Sequence, residues 1–360
     1  MKIIITGACA VSARSVCRSL KISEKFKDAE IVGWDMATTL YSLYEGLFDK
    51  IYKVPRVDAP HYRDCINKIL DTERPDAVIV VPEVEVLYWS EHPFDIPYIV
   101  PPADFCRLAI SKKKVFEVLM PYGLVPKSYE VSKCDILRDD YISPLGYPVW
   151  IRDSAAGTAS GKGSFKAGNQ TELQAWANIN TGIDEFQLSE YLPGGNYGVF
   201  TLFDHGVLRK VALAERIEYI MSKVAVSGIT GNTCKGRLLN DECIKQTALR
   251  AIDIICEKTN TKMNGLCVVD MKADADGKPY VTEINIRHVA YSSMFAVAGF
   301  NIAEAQLLLA LGRGDEVSDE LEKIFPKNNL MLRDVDGLPI FVPDYKPIEE
   351  GEYMEMKDEK

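Results

Sequence analysis

The residues best suited to chemistry lie between Gly265 and Ser293, in GLCVVDMKADADGKPYVTEINIRHVAYSS. Two β-rich runs flank an Asp-Gly turn, the pattern of an antiparallel hairpin. The first run carries Asp270, and the second ends in Glu283, Ile284, Asn285, Ile286 and Arg287. Strand side chains alternate faces, so Glu283, Asn285 and Arg287 point the same way, and pairing sets Asp270 across from Glu283. Two carboxylates and an amide oxygen make a hard-cation site, with a guanidinium beside them for an anion. Magnesium bound to a polyphosphate needs that combination. The competing reading is a polar sheet face in which Arg287 pairs with Glu283.

Other stretches supply backbone and cations. After the expected strand Val149–Arg152 comes a Gly/Ser/Ala-rich piece, DSAAGTASGKGSFK, whose small residues let N–H groups approach phosphate oxygens. It lacks the GK[ST] spacing of a P-loop, and a surface loop is the alternative. A helix over Phe105–Met120 carries Lys112, Lys113 and Lys114. Ser292 and Ser293 either hydrogen-bond an anionic substrate or cap the helix after them. His288, next to Arg287, points to the opposite strand face.

These residues need a scaffold. Residues 1–110 alternate buried strands (Ile3–Thr6, Ile31–Trp34, Ala77–Val81) with helices (Ser12–Leu20, Tyr62–Leu70), implying a parallel, doubly wound sheet. The turn after its first strand has one glycine, Gly7, where a dinucleotide fingerprint has three, so nicotinamide binding is disfavoured. Asp35 and Glu83 end strands where small ligands approach such sheets, with solvated strand ends as the default. Further on come the helix Gln170–Asn178, the strand Glu185–Ser189, and a hairpin of Tyr197–Phe203 with Val207–Ala214. The Gly/Thr loop Ser227–Thr233, a long helix over Asp241–Thr259 and another over Ile302–Leu311 complete the body. The last fifty residues read as a Glu/Lys-rich surface helix, a hairpin at Asp336-Gly337 and a frayed charged tail.

Composition narrows the class. The 360 residues are 47% hydrophobic and 26% charged, as in ordinary globular proteins. A net charge of −10 without basic runs argues against nucleic acid as the main partner. No apolar run reaches membrane-spanning length, and MKIIITG reads as a first strand and not as a secretory signal. The nine cysteines form no CxxC pair, which favours free thiols in a reducing cytoplasm.

Together these segments resemble the ATP-grasp superfamily, specifically its carbamoyl-phosphate-synthetase-like carboxylate–amine ligase branch. VTEINIR is similar to that family's E-x-N-x-R strand, with Ile286 where proline or threonine is more usual. PVWIRDSAAGTASGKG resembles its strand, basic residue and glycine loop, with Arg152 where many relatives have lysine. Spacing back from Gly123 in SKKKVFEVLMPYGL sets Lys112 at the first phosphate-contacting position. SEYLPGGNYGV resembles the hinge strand at the adenine.

The resemblance implies an α/β fold. A Rossmann-like pre-ATP-grasp domain (1–110) would precede a two-subdomain ATP-grasp fold, with an α+β lid (111–187) and an antiparallel-sheet C-terminal subdomain holding the metal site (188–312). A C-terminal extension (313–360) would follow. It further implies that Lys112 and Arg152 contact the α- and β-phosphates of ATP, and that Gly157, Ser160, Gly161 and Gly163 close over the transferred phosphate. Glu190, Tyr191 and Leu192 would hold adenine, and Asn196 would stand where an acidic residue usually holds the ribose. Asp270, Glu283 and Asn285 would bind Mg2+, with Mn2+ as a substitute, and Arg287 would grip the acceptor carboxylate or its acyl phosphate. The expected reaction is ADP-forming ligation of a small-molecule carboxylate to an amine, in a cytoplasmic enzyme without nucleic-acid or membrane partners, with a homodimer as the family's example. A bicarbonate- or carbamate-phosphorylating synthetase and a non-catalytic ATP-binding regulator are the alternatives.

Overall fold

Short runs of buried β-branched residues build the first layer. In the computed structural model, which describes residues 1–37, 41–154, 163–228, 231–334 and 348–355, β1 (Lys2–Thr6), β2 (Glu30–Asp35), β3 (Lys50–Lys53) and β4 (Ala77–Ile79) form a parallel sheet ordered β3-β2-β1-β4. Helix α1 (Val11–Lys21) connects β1 to β2 and α2 (Tyr62–Glu73) connects β3 to β4, the crossovers that parallel pairing needs, and α3 (Glu83–Glu91) follows β4. The turn after β1 is filled by protein: Gly7, at φ 68°, packs against Pro82, and the Asp35 carboxylate accepts the Cys9 N–H at 2.9 Å.

Residues 103–119 form two helices where the sequence reads as one, α4 (Ala103–Ala109) and α5 (Lys112–Leu119). The break has a local cause. Ser111 takes an extended conformation and its side chain accepts the Lys114 N–H, so it caps a new helix with Lys112 as first residue.

The segment expected as a lid, and called the lid below, is a separate layer. Strands β5 (Ser128–Ser132), β6 (Val149–Asp153), β7 (Phe165–Ala167) and β8 (Glu185–Glu190) pair antiparallel in the order β5-β8-β6-β7. They pack on α6 (Asp139–Leu145) and α7 (Gln170–Ile179) around a core of their own, including Val131, Ile151, Leu173, Phe186 and Leu188. In β6, Val149 and Ile151 enter that core, which leaves Trp150 and Arg152 for the other face.

The body is a six-stranded antiparallel sheet of β9 (Asn196–Asp204), β10 (Val207–Tyr219), β11 (Thr233–Leu239), β12 (Gly265–Ala273), β13 (Pro279–Asn285) and β14 (Met331–Leu332), ordered β13-β12-β9-β10-β11-β14. Helix α8 (Glu242–Thr259) covers one face, and α9 (Ser292–Val297) and α10 (Ile302–Ala310) meet the other. Body and first sheet share cores: Ile4 and Val32 join Phe116, Val199 and Ile252 in one, and Ile3 and Ile5 join Phe200 and Leu307 in the other. Each such side chain contributes roughly 1.5–3 kcal/mol on burial.

The C-terminal stretch differs from its sequence reading. No helix forms between 318 and 330, because backbone carbonyls of Ser318 and Glu320 are taken by Lys210 Nζ, at 2.7 and 2.5 Å. Tyr353–Glu355 (β15) is no frayed tail but an antiparallel edge strand on β3. The Asp336-Gly337 turn lies outside the described residues.

Beneath that edge, Glu73 is 1% exposed and meets Lys2 Nζ at 2.7 Å, Lys50 Nζ at 2.8 Å and the Tyr52 hydroxyl. Burial alone would raise its pKa, but these partners hold it at about 2, below its ordinary 4.5. The stabilisation is complete above about pH 4.5 and lost as pH falls towards 2. Glu73→Gln should cost about 3 kcal/mol at neutral pH. In urea unfolding followed against pH, the wild-type advantage should shrink through that acidic window.

Candidate active site

The β12–β13 hairpin pairs Asp270 with Glu283 and Val268 with Asn285, and skips Thr282 as the extra residue of a bulge. The bulge resets the alternation: Val281, Ile284 and Ile286 enter the core on the α8 side while Glu283 and Asn285 face away from it. It also frees the Thr282 carbonyl from the ladder, and that oxygen accepts both terminal nitrogens of Arg152 at 3.3 Å. A residue of β6 is thereby tied to the β12–β13 hairpin.

The Asn285 amide lies between the two carboxylates, 3.2 Å from Asp270 Oδ2 and 3.5 Å from Glu283 Oε1. Turned by half a rotation it presents oxygen beside two carboxylates, a hard-oxygen set that suits Mg2+. Among the described residues no three of His, Cys, Asp and Glu converge, so the amide is needed as the third donor.

Three cations surround the pair. Lys112 Nζ is 3.2 Å from Glu283 Oε2, Arg152 donates to Gln187 Oε1 at 2.7 Å above the Phe116 ring, and Arg216 of β10 donates to Asp270. Burial opposes the charge on Glu283, yet Lys112 and Arg152 prevail and hold its pKa below the ordinary value. Burial raises the pKa of Asp270; Arg216 pulls the other way, and the facing Glu283 adds to the rise. The arrangement is a buried like-charge pair whose repulsion a divalent cation would relieve.

Lys112, Arg152, Glu190, Tyr191, Leu192, Asn196, Asp270, Glu283, Asn285 and Arg287 line a single cavity of about 540 Å³, the size class of a small-molecule site. Lid and body meet there. Trp150 and Lys166 face it from the lid, with Lys166 Nζ 4.2 Å from the Tyr191 ring centre. The hinge is fixed by backbone and side chain together: Glu190 Oε1 accepts the Lys127 N–H at 2.8 Å, Gly194 N donates to Ala273 O at 2.8 Å, and Lys272 Nζ donates to Gly194 O at 2.6 Å.

The Asn196 amide is already engaged, donating to the Tyr219 hydroxyl at 3.0 Å and accepting from Arg216 at 3.2 Å. Arg287 pairs at 3.6 Å with Glu83 of α3, and not with Glu283. Glu83 thus reaches the site from the first layer, whereas Asp35 serves the β1 turn and does not.

Other expected residues lie elsewhere. Ser292 is buried, 2.9 Å from His288 Nδ1, and Ser293 meets Ser15 of α1 at 2.9 Å, so neither lines the cavity. Neither caps α9, whose N-cap is Tyr291. His288, sealed between Ser292 and Gln306, is held near pKa 4 by burial and is neutral at ordinary pH. Gly163, at φ 66°, packs beside Ile183 and offers its carbonyl to Trp176 Nε1 at 2.7 Å, off the cavity wall. Gly157, Ser160 and Gly161 lie outside the described residues.

Arg216, Lys166, Lys272, Tyr291 and Arg333 line the cavity without a motif to mark them. Arg216 left one trace: Gly198, opposite Asp270, leaves the room in which the Arg216–Asp270 pair sits.

No protein-family model and no curated protein sequence matches the chain. Solved structures do. An L-amino acid ligase from Bacillus licheniformis matches with TM-score 0.62 and 15% identity, over 89% of this chain and 77% of its own. N5-carboxyaminoimidazole synthetase from Staphylococcus aureus, complexed with ADP, gives 0.62 and 17% over 92% and 79%. D-alanine–D-alanine ligase from Bacillus anthracis gives 0.55 and 16% over 88% and 98%. The chain has the ATP-grasp fold, with mixed parallel and antiparallel sheets.

Arg216→Gln should lower stability by roughly 3 kcal/mol, because it leaves Asp270 buried beside Glu283 without its guanidinium. Adding Asp270→Asn should recover most of that loss. A double-mutant cycle by urea unfolding measures the coupling, and additive losses would dissociate the pair.

Proposed function

We propose that this protein is an ATP-dependent, ADP-forming ligase that activates a small carboxylic acid as an acyl phosphate and joins it to an amine. The observation that carries the reading is the convergence of Asp270, Glu283 and Asn285 with Lys112 and Arg152 on one cavity at the lid–body junction. The fold shared with an L-amino acid ligase and a D-alanine–D-alanine ligase supports the same reading.

Lys112 and Arg152 hold the phosphates of ATP from body and lid. Arg152, a planar fork half-buried over Phe116, offers bidentate contact once it exchanges the Thr282 carbonyl for phosphate oxygens. Glu190, Tyr191 and Leu192 border the adenine, with Trp150 and Lys166 beside it. Mg2+ held by Asp270, Glu283 and Asn285 would neutralise charge on the phosphates during transfer. Arg287 orients the acid, with Glu83 steadying the guanidinium. The acid oxygen bonds to the γ-phosphorus as the β–γ bridge breaks. The amine then displaces phosphate, and the closed lid keeps water from competing. Asn196 remains the proposed ribose contact, reached through the amide it shares with Arg216.

Purified protein with ATP and Mg2+, screened over organic and amino acids with amines, should release ADP and phosphate only when an acid is present. Release of AMP and pyrophosphate would rule out the acyl phosphate. Phosphate release with bicarbonate alone would assign the synthetase activity instead, and ATP binding without turnover on any acid would make the protein a nucleotide-binding regulator.

Glu283→Gln should cut turnover on the order of 10²–10³-fold while leaving the cooperative unfolding transition in place. Loss of the transition itself would make Glu283 structural.

A further inference from the structure

We propose that Arg333 and Tyr291 form a second anion-binding corner of this cavity, for a carboxylate or phosphate group that a substrate carries in addition to the carboxylate at Arg287. The inference deepens the ligase reading and rests on it.

Tyr291 is 3% exposed, borders the cavity, and its hydroxyl has no hydrogen-bond partner. Its position is built in: the ring packs edge-on to Phe295 at 6.0 Å, and the hydroxyl occupies the space that a side chain on Gly236 would fill. Arg333 arrives from the far end of the chain. The short strand β14 pairs Met331 with Gly236 and Leu332 with Lys235, and Arg333 N then donates to Cys234 O at 2.8 Å. Its Nη1 donates to Ala290 O at 2.8 Å, while Nη2 is buried without a partner. Among the described residues no carboxylate lies within ion-pair distance of Arg333.

The surroundings increase the positive excess. Arg14 and Arg18 of α1 lie close enough that, with burial, they lower the Arg333 pKa, and the Arg14 Nε is also buried without a partner. Among the described residues the nearby carboxylates are engaged: Glu45 is taken by both Arg18 Nε and Nη2, and Glu215, which also acts on Tyr291, accepts from Arg237. Buried donors left without acceptors are rare and call for a cause. An anion between Arg333 and Tyr291 would satisfy the Nη2 and hydroxyl donors together.

The spacing sets the ligand. Arg287 is anchored on the His288 carbonyl at 3.1 Å and Arg333 on that of Ala290. Those oxygens belong to residues two apart, so at most about 7 Å of chain separates the anchors. One small molecule with two anionic ends, or an acid beside an amine that bears its own carboxylate, spans that distance. Both cases share the same chemistry at Arg333.

Calorimetry on the full chain with ADP and Mg2+ tests the corner without turnover, using malonate, succinate and glutarate against propionate, butyrate and valerate. Wild type should bind the best dianion roughly 10- to 100-fold more tightly than its monoanion counterpart, since each charge-assisted contact discriminates by about that much. Arg333→Gln should abolish the difference without changing ADP affinity, and Arg333→Lys should restore part of it. If Arg333→Gln does not fold, Tyr291→Phe removes only the hydroxyl and should still weaken dianion binding severalfold.

A parallel arm compares amino acids with the matching alkylamines, beside a monocarboxylic acid and ATP. A preference for the amino acids that Arg333→Gln removes would place the second anion on the amine. Equal binding of dianions and monoanions by wild type, with no such preference in the amine arm, would overturn the proposal. So would a preference that Arg333→Gln leaves intact. If dianions bind through Arg333 but no acid supports ADP release, the corner stands and the ligase reading fails.

Discussion

Two carboxylates that face each other across a hairpin, Asp270 and Glu283, are the constraint around which this structure is arranged. Like charges so placed repel, and burial raises the cost of keeping either ionised. The protein answers with cations from three separate elements: Lys112 from the start of α5, Arg152 from the lid and Arg216 from β10. Burial works against the charge on both carboxylates, so the facing pair still favours an added positive charge.

The cost of that arrangement is distributed through the fold. The break between α4 and α5 turns Lys112 towards the hairpin, and the Thr282 bulge orients Glu283 and Asn285 while leaving a carbonyl for Arg152. The lid has its own core, so its position over the cavity rests on such polar contacts and on the Gly194–Lys272 hinge more than on shared apolar packing.

Much of this was legible in the sequence because it depends on local rules. Period-two alternation and an Asp-Gly turn were enough to set Asp270 opposite Glu283, and β-branched runs between amphipathic helices were enough for the parallel layer. What escaped was set by contacts remote in sequence. Arg216 sits in an ordinary strand and is drawn to Asp270 by the pairing of β9 with both β10 and β12. Arg333 enters through a two-residue strand too short to show any period. The apolar pattern runs unbroken through the Lys112 helix because Ser111 capping costs no apolar residue, and nothing local marks Ser292 and Ser293 as engaged because their partners, His288 and Ser15, are tertiary neighbours. Strand spacing offers Arg287 the partner Glu283, whereas its acidic partner is Glu83, from a different layer.

On the reading proposed above, the Asp270–Glu283–Asn285 face binds nucleotide through a divalent cation. Titration of ATP into the protein with Mg2+ and with a chelator measures this directly, without knowledge of the acid or amine. One nucleotide per chain should bind, at least tenfold more tightly with Mg2+ than without, a difference that Glu283→Gln and Asp270→Asn each erase. ATP affinity that is the same with and without Mg2+, or a Mg2+ effect that persists in both variants, would contradict it.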